Sequence, residues 1–365
     1  MHRNEGLVSE TDRLAYLRGD FARSSSLHTP RSTSSPWSGR RILYIDDHEG
    51  FSDVEIGPSP TFSFSSESND TVVVGRSDFN LAFRVWCEDT SYTQYDEALG
   101  FRANRYIGCV HVPDPIDPET QPDLFYNEVA SHISKTGGAS SRFISVVSSF
   151  IQLLKIAEEK GENSKIAAID LDRIPDRSAY RAYDVVKELR RRSLYSFRYS
   201  ASAETIIYGE IPKAAILAII DFSELKRLTP NCIVDFLKLP IFATGSVRTI
   251  VPQLREIGHH VDPNFSYACG SISRLLGLHR EAASLCHIQE LVSFLVDGWS
   301  LVVESDAEYL KLCADVYTQT LSSTMHDASD VAEAFIAGVK GGEENLMRFS
   351  GGSGQRRSRK RRRTS

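Results

Sequence analysis

No apolar run in this 365-residue chain approaches the roughly 20 residues that a helix needs to cross a bilayer, so no membrane span is expected. The first twenty residues, MHRNEGLVSETDRLAYLRGD, lack the apolar core of a secretory signal. Six cysteines (Cys87, Cys109, Cys232, Cys269, Cys286 and Cys313) are scattered without paired spacing, which disfavours a disulfide framework and fits reduced thiols in an intracellular protein. There is no G-x-x-x-x-G-K-[ST] loop and no G-x-G-x-x-G turn, so those two routes to nucleotide binding are absent. Metal-ligand spacing is missing as well. His259 and His260 with Asp262 come nearest, but adjacent His side chains diverge unless the backbone turns between them. Cys286 beside His287 reads as core packing, because a nucleophile and its base must meet through the fold.

With 41% hydrophobic residues, the chain can bury one or two cores. Residues 1–70 are rich in Ser, Arg, Pro and Gly, too weakly patterned to offset the entropy of ordering, and read as disordered. Their one apolar burst is ILYI at 42–45. A first core begins at Thr71 and extends to about 225. Its β-branched runs predict strands over 81–87, 143–147, 165–171, 203–208 and 214–220. Between them lie a helix, FIQLLKIAEEK, capped by Ser148 or Ser149 and stopped at Gly161, and another from Ser178 whose last turn carries Arg190, Arg191 and Arg192. Four prolines in VPDPIDPETQPD predict a long surface loop. From 226 to 345 the pattern is helical, including VPQLREIG with Pro252 in a first turn; only LVVE after Trp299 reads as a strand. Residues 346–365 read as a flexible tail ending in a basic cluster. Because the last ten residues carry seven Lys or Arg and no acid, the formal charge of −6 leaves −13 on residues 1–355.

Three strands carry residues of chemical interest. In LAFRVWC, alternation places Leu81, Phe83, Val85 and Cys87 on one face and Arg84 with Trp86 on the other, where the Arg is either a surface ion pair or part of a site. In FISVVSS, Ser145 shares a face with Phe143 and Val147, as a satisfied core hydroxyl or a working one. In YSASAETIIYGEIP, Glu204 stands at the entrance of a strand that Gly209 and Pro212 end. A carboxylate there is a solvated end charge or a site group, since burying it unpaired is too costly.

Together these stretches resemble the enterotoxin-type ADP-ribosyltransferases, whose catalytic Glu stands eight residues before the Pro of a GxIP-like turn, as Glu204 stands before Pro212. The order Arg84, Ser145, Glu204 is similar to that family's Arg, Ser and Glu. An uncharacterised fungal domain of unknown function shares the whole arrangement, and the chain resembles it more than the toxins. The resemblance implies an α+β fold of split β-sheets with helices, followed by a mostly helical C-terminal region, with TSYTQYDEALGFRA running through a helix to a Gly-containing loop. It implies NAD as co-substrate and transfer of ADP-ribose to a protein or nucleic-acid acceptor. Breaking the bond between nicotinamide and ribose develops positive charge at the anomeric carbon, as in glycoside cleavage. By resemblance Glu204 stabilises that charge, Arg84 holds the dinucleotide by a forked contact and Ser145 fixes orientation. The chain departs from the arginine-modifying toxins by having Ser202 where they carry a second Glu, and Ser-Val-Val at 145–147 where they carry Ser-Thr-Ser. The alternative is therefore an inactive fold kept as an interaction module. The basic tail is expected to act as a nuclear localisation signal read by an import receptor, or to bind nucleic acid through phosphates.

Overall fold

The computed structural model describes residues 79–361 apart from 89–92, 135–139, 197–200, 229–235, 305 and 323–324, with side chains as far as residue 348. The stretch 1–70 with its apolar burst at 42–45, and the tail residues 362–365, lie outside the described residues.

Among the described residues, nine strands form two antiparallel sheets. The large sheet has the order β6-β7-β4-β1-β5-β9, built from β1 (Leu81–Trp86), β4 (Phe143–Val147), β5 (Lys165–Asp170), β6 (Ala179–Arg181), β7 (Glu204–Tyr208) and β9 (Ile216–Asp221). The small sheet is β2 (Gln94–Asp96), β3 (Gly100–Arg102) and β8 (Glu210–Pro212). Every pairing is antiparallel, so the fold is α+β and not a doubly wound parallel sheet. Gly209, at φ 75°, carries the chain from β7 in the large sheet to β8 in the small one, where an added Cβ would run into the Val112 side chain.

Both faces of β1 are covered. Leu81, Phe83 and Val85 join one core with the C-terminal helices, while Ala82 and Trp86 join a second core with β3, β4 and β7. The face carrying Arg84 is thus not a solvent face, as the alternation suggested, but the floor of another core: Trp86 packs edge-on against Phe101 and tilted against Tyr95. Those two aromatics also correct the expected helix in TSYTQYDEALGFRA. Spaced to face each other across a hairpin, they pair Tyr95 with Phe101 in β2 and β3, and the Asp96 carboxylate accepts the N–H groups of Ala98 and Leu99 to close the turn.

The helices follow local signals. Pro122 opens α1 (Pro122–Ile133) directly after the proline-rich loop, and α2 (Phe150–Lys160) starts where Ser149 accepts the Gln152 N–H. The helix expected from Ser178 begins later, as α3 (Ala182–Arg191), because Ala179–Arg181 is taken up by β6 along β7. Short α4 (Phe222–Lys226) is held by an Asp221 and Glu224 capping box. The C-terminal region comprises α5 (Leu239–Thr244), α6 (Val247–Ile257), α7 (Pro263–Leu275), α8 (Leu285–Trp299), α9 (Ala307–Leu321) and α10 (Ala328–Arg361). Helix α6 starts at Val247, so Pro252 lies inside it and not in its first turn. Instead of a strand, LVVE supplies a lone parallel bridge between Val302 and His260. The α10 backbone is helical to Arg361, through much of the stretch read as an unstructured tail.

These helices share a core with the Leu81, Phe83 and Val85 face of the sheet. Trp299 is fully buried, stacks on Phe236 and donates its indole N–H to the Phe236 carbonyl at 3.0 Å; Phe294 meets Phe79 and Phe83 edge-on. The Glu290 carboxylate of α8 accepts the N–H groups of Asn80 and Leu81, which hold the entrance of β1 against the helices. Burial pushes the Glu290 carboxyl above its ordinary range, and those two N–H groups offset part of the rise.

Candidate functional site

Arg84, Ser145 and Glu204 lie on three strands, β1, β4 and β7, that are neighbours in the large sheet. β1 makes six residue pairs with β5 but only one with β4, Phe83 opposite Val147. Continued in register, Val85 would stand opposite Ser145, but the strands have parted by then. The Arg84 guanidinium fills the opening: Nη1 donates to the Ser145 main-chain carbonyl at 2.5 Å and Nη2 to Thr93 Oγ1 at 2.7 Å. A carbonyl that a ladder N–H would have satisfied thus receives a charge-assisted donor instead.

The Ser145 side chain is engaged separately. Its Oγ lies 2.8 Å from His132 Nε2, in the last turn of α1, and His132 Nδ1 lies 2.7 Å from Ser141 Oγ. Ser141 directs its own hydroxyl proton to the Phe143 carbonyl and accepts the Phe143 N–H. Nδ1 is therefore the donor toward Ser141, and in the neutral ring Nε2 accepts the Ser145 hydroxyl proton. His132 was not among the residues singled out from sequence. It stands 13 residues before Ser145, in the last turn of a helix that ends at Ile133, and no spacing rule links the two.

Glu204 opens β7, half-buried, directly opposite Val147. Since Val147 also stands opposite Phe83, the side chains of Glu204, Val147 and Phe83 leave the sheet on one face. Ser145, opposite Ile206, is on that face too, diagonal to Glu204 at a spacing of about 7–8 Å set by sheet geometry. Arg84, next to Phe83, leaves from the other face. The fold therefore brings a carboxylate and a histidine-bound hydroxyl together on one face, with the guanidinium reaching the same strand from behind through its backbone. Such a face can bind a sugar diol, with Glu204 accepting hydrogen bonds and the Ser145 and His132 pair supplying a hydroxyl of fixed orientation.

The wall beyond Ser145 is closed by Tyr106 and Tyr208, whose hydroxyls are 2.6 Å apart and buried. Burial, with the Tyr208 hydrogen bond, pushes the Tyr106 phenol far above its ordinary value, so Tyr106 stays neutral across the working pH range.

A second polar cluster lies at the opposite end of β5. His287, read from sequence as simple core packing, is buried, but its Nε2 lies 3.3 Å from Asp170 Oδ1 and its Nδ1 accepts the Ser284 N–H at 3.0 Å. Ser284, His287 and Asp170 line up like a nucleophile, base and acid, yet the nitrogen facing Ser284 is already occupied by that residue's own main-chain N–H. The cluster is a helix cap joined to the sheet. Burial raises the Asp170 carboxyl, but the His287 contact, the Asp172 N–H and the Arg173 guanidinium together outweigh it and hold Asp170 below the usual carboxylate range.

Residues 79–225 match a family described as a domain of unknown function (DUF7587). All three candidate residues, and His132, fall within the matched span. No curated protein and no solved structure matches the chain.

Proposed function

We propose that the α+β part of the chain is an ADP-ribosyltransferase-like domain that uses NAD as co-substrate and transfers ADP-ribose to a protein or nucleic-acid acceptor. The observation that supports it most is the placement of Arg84, Ser145 and Glu204 on three adjacent strands, with Glu204 and Ser145 on one face. In this reading Glu204 bears on the ribose next to nicotinamide, accepting its 2′-hydroxyl and stabilising positive charge as the glycosidic bond lengthens. Ser145, held by His132, orients that ribose. Arg84 supplies a positive charge at the opening between β1 and β4, where a phosphate could take over from the Ser145 carbonyl.

A second reading is favoured by a specific observation. The Arg84 guanidinium and the Ser145 hydroxyl both already have internal partners, and Arg84 leaves from the face opposite Glu204. That arrangement suits a fold retained as an interaction module, in which the three residues hold strands together and turn nothing over.

The deciding experiment is NAD binding by calorimetry and nicotinamide release by purified protein, beside Glu204→Gln. The substitution keeps shape and removes charge. Under the first reading it lowers turnover by about a hundredfold, equivalent to about 3 kcal/mol of transition-state stabilisation, with unchanged folding. Wild-type protein that neither binds nor cleaves NAD would sink the enzyme and leave the module. The basic cluster from Arg356 to Arg363 is proposed as a nuclear localisation signal, with phosphate-directed binding to nucleic acid as the competing role.

A further inference from the structure

Ser145, His132 and Ser141 stand in the order that activates a serine. A hydroxyl becomes a nucleophile when a base within hydrogen-bond reach takes its proton and a third group holds that base in the right tautomer. His132 Nε2 lies 2.8 Å from Ser145 Oγ and Nδ1 lies 2.7 Å from Ser141 Oγ, with the ring proton on Nδ1 and Nε2 accepting from the Ser145 hydroxyl. Each member is fixed in turn. Ser141 Oγ is tied to both main-chain groups of Phe143, and the imidazole lies tilted against the Phe143 ring, with centroids 5.9 Å apart. Arg84 anchors Ser145 from behind by donating to its carbonyl. All three residues are half-buried and keep some contact with solvent.

The Ser284 and His287 pair differs in the decisive contact: there the facing nitrogen accepts the Ser284 main-chain N–H at 3.0 Å, and the ring is buried. Ser145 does not block His132 in that way, because its main-chain groups lie in the plane of the sheet. Gly209 N–H donates to the Arg142 carbonyl and Ser148 N–H to the Ala203 carbonyl, so residues 142, 144, 146 and 148 turn their N–H and C=O groups toward β7, and Ser145 turns its own toward β1. That side is the opening where the two strands part, and the Arg84 guanidinium sits in it. The main-chain N–H of Ser145 and a guanidinium thus share one opening beside the Ser145 side chain. Both are kinds of donor that stabilise the oxygen of an attacked carbonyl.

We propose that Ser145 is the nucleophile of a second activity, hydrolysis of a small carboxylic ester through an acyl-serine. Ser145 Oγ bonds to the acyl carbon while its proton passes to His132 Nε2 and the carbonyl electron pair moves onto oxygen. The pair then returns, the bond to the alcohol breaks, and His132 Nε2–H protonates the departing alkoxide. Water repeats the sequence against the acyl-serine, so ester and water become acid and alcohol. Glu204, on the same face, disfavours acyl groups that carry a carboxylate, so the ester is neutral or cationic. This activity goes beyond the transferase reading and does not rest on it, since no step uses NAD.

The test uses the full chain and a rhodamine-linked alkyl fluorophosphonate, which loses fluoride to an activated serine oxygen, read by gel fluorescence and by mass mapping of the labelled peptide. Expected are a label on Ser145, its loss in Ser145→Ala, and labelling at least about a hundredfold slower in His132→Gln. Ser141→Ala should slow labelling about tenfold by releasing the imidazole, and Ser141→Thr, which keeps the hydroxyl, should restore the rate. p-Nitrophenyl butyrate should be turned over by the wild type and not by Ser145→Ala. Wild-type protein that is folded by circular dichroism yet unlabelled at Ser145 overturns the proposal. So does a label whose rate is unchanged in both His132→Gln and Ser141→Ala, or ester turnover that survives Ser145→Ala. Every assay runs without NAD, so its failure leaves the transferase reading standing, and a failure of nicotinamide release leaves the ester hydrolysis standing.

Discussion

Replacing Asp170 by Asn tests the joint between sheet and helices. The Asp170 side chain is 8% exposed, accepts the Asp172 N–H at 2.9 Å, faces Arg173 Nε at 3.0 Å and lies 3.3 Å from His287 Nε2. Asn that keeps its oxygen at the Oδ1 position for Asp172 and His287 must turn its NH₂ toward Arg173, donor against donor, and leaves His287 facing a neutral oxygen in place of a charged one. Arg173 is 42% exposed, so its ion pair contributes at most about 1 kcal/mol. Removing the charge opposite the buried His287 adds about 1 kcal/mol. A total loss of about 2 kcal/mol lowers Tm by about 4–8 °C in a chain of this size. The pH dependence has a definite sign. The folded Asp170 carboxyl is held below its unfolded value of about 3.9, so its contribution is fully present above that pH and is lost as pH falls through the folded value. Thermal melts followed by circular dichroism should therefore show a constant gap between the wild type and Asp170→Asn from about pH 7 to 5, closing below about pH 4. A gap under about 0.5 kcal/mol at neutral pH, or one that stays constant down to about pH 3, refutes the reasoning.

Arg84→Lys replaces a fork by a single ammonium that cannot reach the Ser145 carbonyl and Thr93 Oγ1 together, so urea unfolding should show about 1–2 kcal/mol of lost stability even without NAD. Unchanged stability would show that the strand opening does not need the guanidinium. For the tail, a reporter fused to residues 349–365 should accumulate in nuclei, and a cytoplasmic reporter would remove that reading.

The strands of the large sheet other than β6 could be read from sequence because runs such as LAFRVW, FISVV, KIAAID and ETIIY are short, β-branched or aromatic, and bounded by turn residues. What escaped was tertiary. The hairpin at Tyr95 and Phe101 has Glu-Ala-Leu between its strands, good helix formers whose local preference loses to the packing of both rings on Trp86. Gly-Glu-Ile-Pro reads as the end of a strand, yet past Gly209 it becomes β8, because β3 offers a partner that only the fold reveals. The same limit hid His132, which reaches Ser145 from a helix that a run of prolines obscured, and hid Asp170 as the partner of His287. Single positions such as Arg84, Ser145 and Glu204 could be named; the company they keep could not.

That company constrains the proposed site. A guanidinium in a parted seam between two strands has two uses, and they compete. Bound to the Ser145 carbonyl and Thr93, it replaces a missing stretch of ladder and stabilises the sheet; turned toward a phosphate, it leaves a half-buried carbonyl without that donor, a loss of about 1 kcal/mol or more. A dinucleotide must therefore return more than that through Arg84 alone before the residue contributes to affinity, which a charge-assisted forked contact to pyrophosphate can do and a contact to a neutral ribose cannot. It follows that, if NAD binds here, its affinity must depend on the diphosphate, and nicotinamide riboside should not substitute for it. Glu204 and Ser145 face no such competition from Arg84, because they leave the sheet on the other side.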